Sequence, residues 1–125
     1  MNVVDSSGWL EYFNNQENAN FFAPVIENPQ TVLVPTISLF EVYKRVLLEK
    51  NKDDALEAVA LMKEARVVDL DDSIALSAAE LSCELKLPLA DSIILATARQ
   101  FNATLWTQDS HFKTIDGVKY IEKRF

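Results

Sequence analysis

The run at residues 87–112, LPLADSIILATARQFNATLWTQDSHF, constrains the fold more than any other part of the chain, because it reads as helix, strand and acid in immediate succession. Pro88 stands where a helix begins. From Asp91 the apolar residues Ile94, Leu95, Ala98 and Phe101 recur at helical spacing as far as Asn102, a residue type that accepts the left-handed conformation ending many helices. Residues 104–107 read as a short buried strand, and Gln108, Asp109 and Ser110 follow at its carboxyl end. In an open parallel sheet that edge is where ligands bind.

The same alternation runs through the rest of the chain. Residues 1–4 form a β-prone run ending at Asp5, with Ser6 and Ser7 as natural N-caps for a helix carrying Trp9, Leu10 and Phe13. A polar turn over 14–20 precedes the apolar face of Phe21, Phe22, Val25 and Ile26, in which Pro24 is expected only in a first turn or at a break. Residues 31–34 read as a second strand closed by Pro35. The helix after it, over about 38–50, has a core stripe of Leu39, Val42, Tyr43, Val46 and Leu47, with Glu41 in its first turn and off the centre of that stripe. Asp53 is expected to cap the next helix, whose apolar positions are Leu56, Val59, Ala60 and Met62. Residues 66–70 give a brief strand, Asp71 or Asp72 caps a helix carrying Ile74, Ala78, Leu81 and Leu85, and residues 118–121 give a last strand. Strands separated by helices specify a central parallel sheet with right-handed crossovers, a three-layer α/β/α architecture, and residues 1–125 are expected to form a single domain.

Nineteen acids against twelve Lys and Arg leave a formal charge of −7, which argues against adhesion to nucleic acid through a basic surface but leaves room for a nucleic-acid substrate at a cation-bearing site. The lone Cys83 precludes an internal disulfide and suits a reducing, cytoplasmic compartment; its helical context suits a small, buried or half-buried residue. No apolar run approaches the roughly 18 residues of a membrane span, and the first residues lack the basic and apolar regions of a signal peptide.

Right-handed crossovers put the carboxyl ends of all strands on one edge, which gathers Asp5, Glu41 and Asp109, and the helix of Asp91 can bring a fourth acid to them. Each has a plainer role open to it. Asp5 can cap a helix, Ser38 and Glu41 match a capping box, Asp91 can serve the helix dipole, and Asp109 can form a turn. Taken together, carboxylates held this close raise one another's pKa and resist full ionisation unless a hard cation neutralises them. Mg²⁺ or Mn²⁺ suits such oxygen ligands, and hydrolysis of a phosphodiester is the reaction such a site serves. Other chemistry is poorly supplied. His111 is the one histidine, so a paired-histidine mechanism and an ordinary zinc site are both excluded, and neither a phosphate-cradling P-loop nor a dinucleotide-binding glycine motif occurs.

These residues resemble a family, the PIN-domain ribonucleases, and within it the VapC-type toxins of bacterial toxin–antitoxin pairs. The resemblance rests on VVDSS with Asp5, SLFEVYKR with Glu41, LPLADSIILATAR with Asp91, and LWTQDSHF with Thr107 and Asp109, and covers essentially the whole chain. It implies a Mg²⁺- or Mn²⁺-dependent endoribonuclease in which Asp5, Glu41, Asp91 and Asp109 hold one or two ions, with Thr107 supporting the site by hydrogen bonding and Ser6 in a similar minor role. It also implies a homodimer and a cognate antitoxin whose tail occupies the groove. Lys44, Arg45 and Arg99 are the nearest basic residues for contacting RNA. Two other readings compete. A receiver-like regulatory module would want adjacent acids after the first strand, where Asp5 is followed by Ser6, and an aspartate after a central strand, where Val34 is followed by Pro35 and Thr36. A binding protein of the same fold would pair with a partner and cut nothing.

Overall fold

The computed structural model describes residues 1–124. A five-stranded sheet is built from β1 (Asn2–Val4), β2 (Val32–Pro35), β3 (Arg66–Val68), β4 (Thr104–Thr107) and β5 (Val118–Tyr120), in the order β3-β2-β1-β4-β5. All four neighbouring pairs are parallel. The helices between strands are α1 (Ser6–Phe13), α2 (Ala19–Ile26), α3 (Thr36–Glu49), α4 (Lys52–Met62), α5 (Asp72–Leu85) and α6 (Leu89–Gln100). Short 3-10 turns lie at Pro29–Thr31 and Ser110–Phe112.

Alternation along the strands divides the core between two faces. Val3, Leu33 and Leu105 pack against α5 and α6 through Ile74, Ala78, Leu81, Ile94 and Leu95. Val4, Val32 and Val34 point the other way, onto Trp9, Phe22, Val25, Val42, Ala58 and Met62 of α1 to α4. The result is the three-layer α/β/α sandwich the sequence implies. Its strand order differs from the 2-1-3-4-5 order of receiver-like folds, so that alternative falls on topology. The chain leaves β1 toward β2 on one side and reaches β4 on the other, and the crevice between the carboxyl ends of β1 and β4 is the switch point where ligands settle.

Several local expectations change in the structure. The N-cap of α1 is Asp5, ahead of Ser6 and Ser7, and its side chain accepts the Gly8 amide. Gly8 is required there by space, since a Cβ would lie 2.7 Å from both Phe22 Cε1 and Val4 Cγ1. Pro24 sits inside α2, where the carbonyl it cannot serve belongs to the exposed Asn20. The α3 helix starts at Thr36 with Pro35 as N-cap, two residues before the expected start, which places Ser38 inside the helix on its buried face. Asn51, not Asp53, caps α4 by accepting the Asp54 amide, and the buried stripe of α4 is Ala55, Ala58 and Met62. Leu56 is 49 % exposed, because small residues on the inner face let α4 lie close to α3. Cys83 is exposed, outside the stripe of Ile74, Ala78 and Leu81. Asn102 adopts a positive φ of 51° directly after α6, as its residue type suggests.

Candidate metal and active site

Asp5, Glu41, Asp91 and Asp109 all line one cleft of about 480 Å³ at the carboxyl edge of the sheet, together with Ser6, Ser7, Lys44 and Arg45. Each arrives from a different element. Asp5 follows β1, Glu41 lies in the second turn of α3, Asp91 is in the first turn of α6, and Asp109 is two residues beyond β4. The apolar side chains of Leu10, Phe40, Leu48 and Ile94 complete the lining, and Phe40 and Leu48 are largely exposed.

Asp5 is buried at the base and tied to both neighbouring segments. Its Oδ1 accepts from the Gly8 amide at 2.9 Å and the Ser7 hydroxyl at 2.8 Å. Its Oδ2 accepts from Thr107 Oγ1 at 2.7 Å, and the same Thr107 oxygen accepts the Asp109 amide at 2.9 Å. One hydroxyl thus links the ends of β1 and β4 and fixes where Asp109 leaves the strand. Ser6 Oγ donates to Glu41 Oε1 at 2.6 Å, joining α1 to α3. The capping-box role for Glu41 fails: Ser38 is a buried interior residue whose hydroxyl has no partner, and Glu41 turns to Ser6.

Asp91 and Asp109 face each other across the cleft mouth, and the His111 ring reaches both. His111 Nδ1 lies 3.0 Å from Asp91 Oδ2 and 2.8 Å from Asp109 Oδ1. Asp109 also caps the 3-10 turn, its Oδ1 accepting the His111 amide at 2.9 Å. Burial pushes the Asp5 carboxyl up to about 6, against the downward pull of its hydrogen bonds from Thr107, Gly8 and Ser7. Burial also pushes Asp91 up, to about 7; the charge of Asp109, the hydrogen bond a protonated Asp91 gives it, and the charge of Asp5 add to this, and only His111 opposes. Among the described residues no Lys or Arg forms an ion pair with any of the four acids. The donor set is oxygen-rich, crowded and short of positive charge, which fits a hard divalent cation. Asp91, Asp109 and His111 each offer a donor atom within 4.8 Å of the others.

Residues 3–118 match the family model described as PIN domain. The chain belongs to the PIN-domain family. Among solved structures, it is similar to a toxin–antitoxin complex from Klebsiella pneumoniae, at 24 % identity and a TM-score of 0.79 over 95 % of this chain and 96 % of that one. It is also similar to VapC20, a sarcin–ricin-loop-cleaving toxin of Mycobacterium tuberculosis, at 18 % identity and a TM-score of 0.76 over 93 % and 95 % of the two chains. VapBC2 of Rickettsia felis, bound to a DNA fragment from its promoter, matches at 20 % identity and a TM-score of 0.73 over 96 % of each chain. Among curated proteins none matches significantly.

Of the basic residues singled out in the sequence, Lys44 and Arg45 line the cleft of this PIN domain. Arg99 lies in the last turn of α6, at the opposite end of that helix from Asp91, and does not line the cleft. The sequence reading missed His111 as a member of the cluster. The local signal was present, since Asp-x-His brings a ring back to its own carboxylate, but contact with Asp91 depends on the packing of α6 beside β4. It also missed a buried polar network beside the cleft, in which Glu11 accepts from the Asn18 amide and from Gln108 Nε2, while Asn18 Nδ2 donates to Gln108 Oε1.

Proposed function

We propose that this chain is a Mg²⁺- or Mn²⁺-dependent endoribonuclease, the toxin of a VapBC-type toxin–antitoxin pair, acting as a single PIN domain over residues 1–125 in the cytoplasm. The observation that carries the reading is the convergence of Asp5, Glu41, Asp91 and Asp109 on one cleft at the switch point of a PIN fold, with no Lys or Arg among the described residues paired to them. Family membership supports a nuclease, and the neighbours described as VapBC or toxin–antitoxin complexes support an antitoxin partner.

In this reading Asp5, Glu41, Asp91 and Asp109 hold the cation, Glu41 from the α3 side of the cleft. A bound divalent ion would neutralise these carboxylates, acidify the attacking water and offset charge on the phosphate. The chain's own residues do the rest. Thr107 holds Asp5 and the Asp109 backbone in register, Ser6 orients Glu41, and Gly8 and Ser7 fix the second oxygen of Asp5. Lys44 and Arg45 on the α3 rim meet the phosphates flanking the scissile bond. Phe40 and Leu48, exposed beside the carboxylates, give an antitoxin tail an apolar foothold over the same cleft. A homodimer follows from the family resemblance, and sedimentation as a strict monomer at micromolar concentration would remove it.

The experiment is cleavage of a structured RNA by purified protein with Mg²⁺, with Mn²⁺ and with excess EDTA. Internal cleavage that needs either ion and stops with EDTA is expected. Full cleavage in EDTA, or none in either ion by antitoxin-free protein, would overturn the reading.

A further inference from the structure

His111 is the only histidine of the sequence, and its ring is held against the two carboxylates at the mouth of the cleft. Its backbone is pinned on both sides. The His111 amide donates to Asp109 Oδ1, and the next residue, Phe112, is fully buried with its amide donating to Asp109 O at 3.0 Å. The Asp109 amide is in turn held by Thr107. A side chain that is 54 % exposed would be free to swing on an unrestrained loop; here the turn beneath it delivers the ring to one place.

The spacing of the three donor atoms is informative. Neighbouring ligands of a six-coordinate ion with bonds of about 2.1 Å lie about 3 Å apart. Nδ1 of His111 is 3.0 Å from Asp91 Oδ2 and 2.8 Å from Asp109 Oδ1, so a nitrogen and two oxygens already carry the separations of adjacent ligands. These separations are also those of ordinary hydrogen bonds, so what singles the ring out is that one nitrogen reaches both carboxylates at once from a turn that fixes its backbone.

We propose that His111 is a ligand, donating Nδ1 to the cation held by Asp91 and Asp109, and that this nitrogen sets the preference of the site for Mn²⁺ over Mg²⁺. The inference rests on the metal-site reading above and adds to it the identity of a donor and the selectivity that follows. Mg²⁺ favours an all-oxygen shell, whereas imidazole nitrogen suits first-row transition metals. Binding needs Nδ1 free of hydrogen, with the hydrogen of the neutral ring on Nε2. Because His111 lies on the surface and outside both core clusters, its replacement leaves the fold in place.

The test uses the tag-free full chain loaded with Mn²⁺ and pulsed electron paramagnetic resonance, which detects nitrogen bound directly to the ion, beside calorimetric titration with Mn²⁺ and Mg²⁺. Wild type is expected to show a coordinated nitrogen that disappears in His111→Gln, and the ratio of Mn²⁺ to Mg²⁺ affinity is expected to fall about tenfold in that variant. Mn²⁺ binding that depends on Asp91 but carries no coordinated nitrogen, or a ratio unchanged by His111→Gln, would overturn the role of His111 and leave the carboxylate site standing. Mn²⁺ binding indifferent to Asp91→Asn would remove the site itself, and the ligand with it.

Discussion

Gln108 and Asp109 are adjacent in the chain and enter two opposite electrostatic settings. Gln108 turns into a buried network with Glu11 and Asn18, and Asp109 turns into the cleft with Asp91 and Asp5. Both settings contain a buried carboxylate with no Lys or Arg partner among the described residues. The Glu11 carboxylate is met by neutral donors, the Asn18 amide at 2.9 Å on one oxygen and Gln108 Nε2 at 3.1 Å on the other. Asp5 is met by neutral donors too, from Ser7, Gly8 and Thr107, but it stands beside Asp109, and Asp91 faces Asp109 directly; burial first, and these neighbouring charges after it, push both acids up in pKa. Burial of an acid is therefore not the mark of a functional site here. What separates the two regions is like-charge company, which a structural network avoids and a cation site needs.

Neutralising one acid in the cleft should have the largest effect. Asp91→Asn should lower RNA cleavage about a hundredfold or more, since even the supporting partners of metal ligands are worth about ten- to a hundredfold. Asn keeps the geometry of a first-turn residue, so a melting curve without metal should match or exceed wild type. Wild-type cleavage by this variant would return Asp91 to a helix-dipole role.

A pH series on metal-free protein comes next. The folded pKa of Asp5, about 6, exceeds the ordinary value of 3.8, so its contribution to stability is fully present below pH 3.8 and is lost as pH rises through 6. The shift corresponds to about 3 kcal/mol. Asp91 adds to the same trend up to about pH 7. Metal-free protein should melt lower at pH 8 than at pH 5, with saturating Mn²⁺ restoring the loss; a melting temperature that rises across this window would contradict the raised carboxyls.

Gln108→Ala tests the other region. It leaves Glu11 Oε1 and Asn18 Nδ2 without one partner each, and urea denaturation should register a loss of about 1–3 kcal/mol. Its Mn²⁺ affinity should change less than that of Asp91→Asn, and the reverse ranking would mean the two regions are one functional unit. Gly8→Ala, by forcing a Cβ against Phe22 and Val4 under the Asp5 cap, should cost a similar 1–3 kcal/mol, roughly, by the same measurement.

Much of the frame was legible because it depends on local pattern. The strand at Thr104–Thr107 and the stop at Asn102 follow from short-range residue preferences, and the order of strand, acid and helix was enough to put Asp5, Glu41 and Asp109 on one edge, with the helix of Asp91 able to add a fourth acid. What the sequence hid depends on which surface packs against which. Ser38 and Glu41 carry a capping-box pattern, yet Pro35 starts the helix earlier and turns Ser38 inward. Leu56 looks like core, but Ala55 and Ala58 are what allow α4 to approach α3. The need for glycine at residue 8 comes from Phe22 packing onto it, which no local pattern announces. Gln108 and Glu11 are separated by 97 residues, and no local motif links them.

If the acids of the cleft are gathered for a cation, calorimetric titration of Mn²⁺ into metal-free wild type and Asp91→Asn near pH 6.5, in two buffers of different ionisation enthalpy, will show it. Wild type should bind and release protons to the buffer, because Asp5 and Asp91 must ionise, and Asp91→Asn should bind at least about tenfold more weakly with less proton release. Equal affinity in the two proteins, with no proton released by either, would contradict the account.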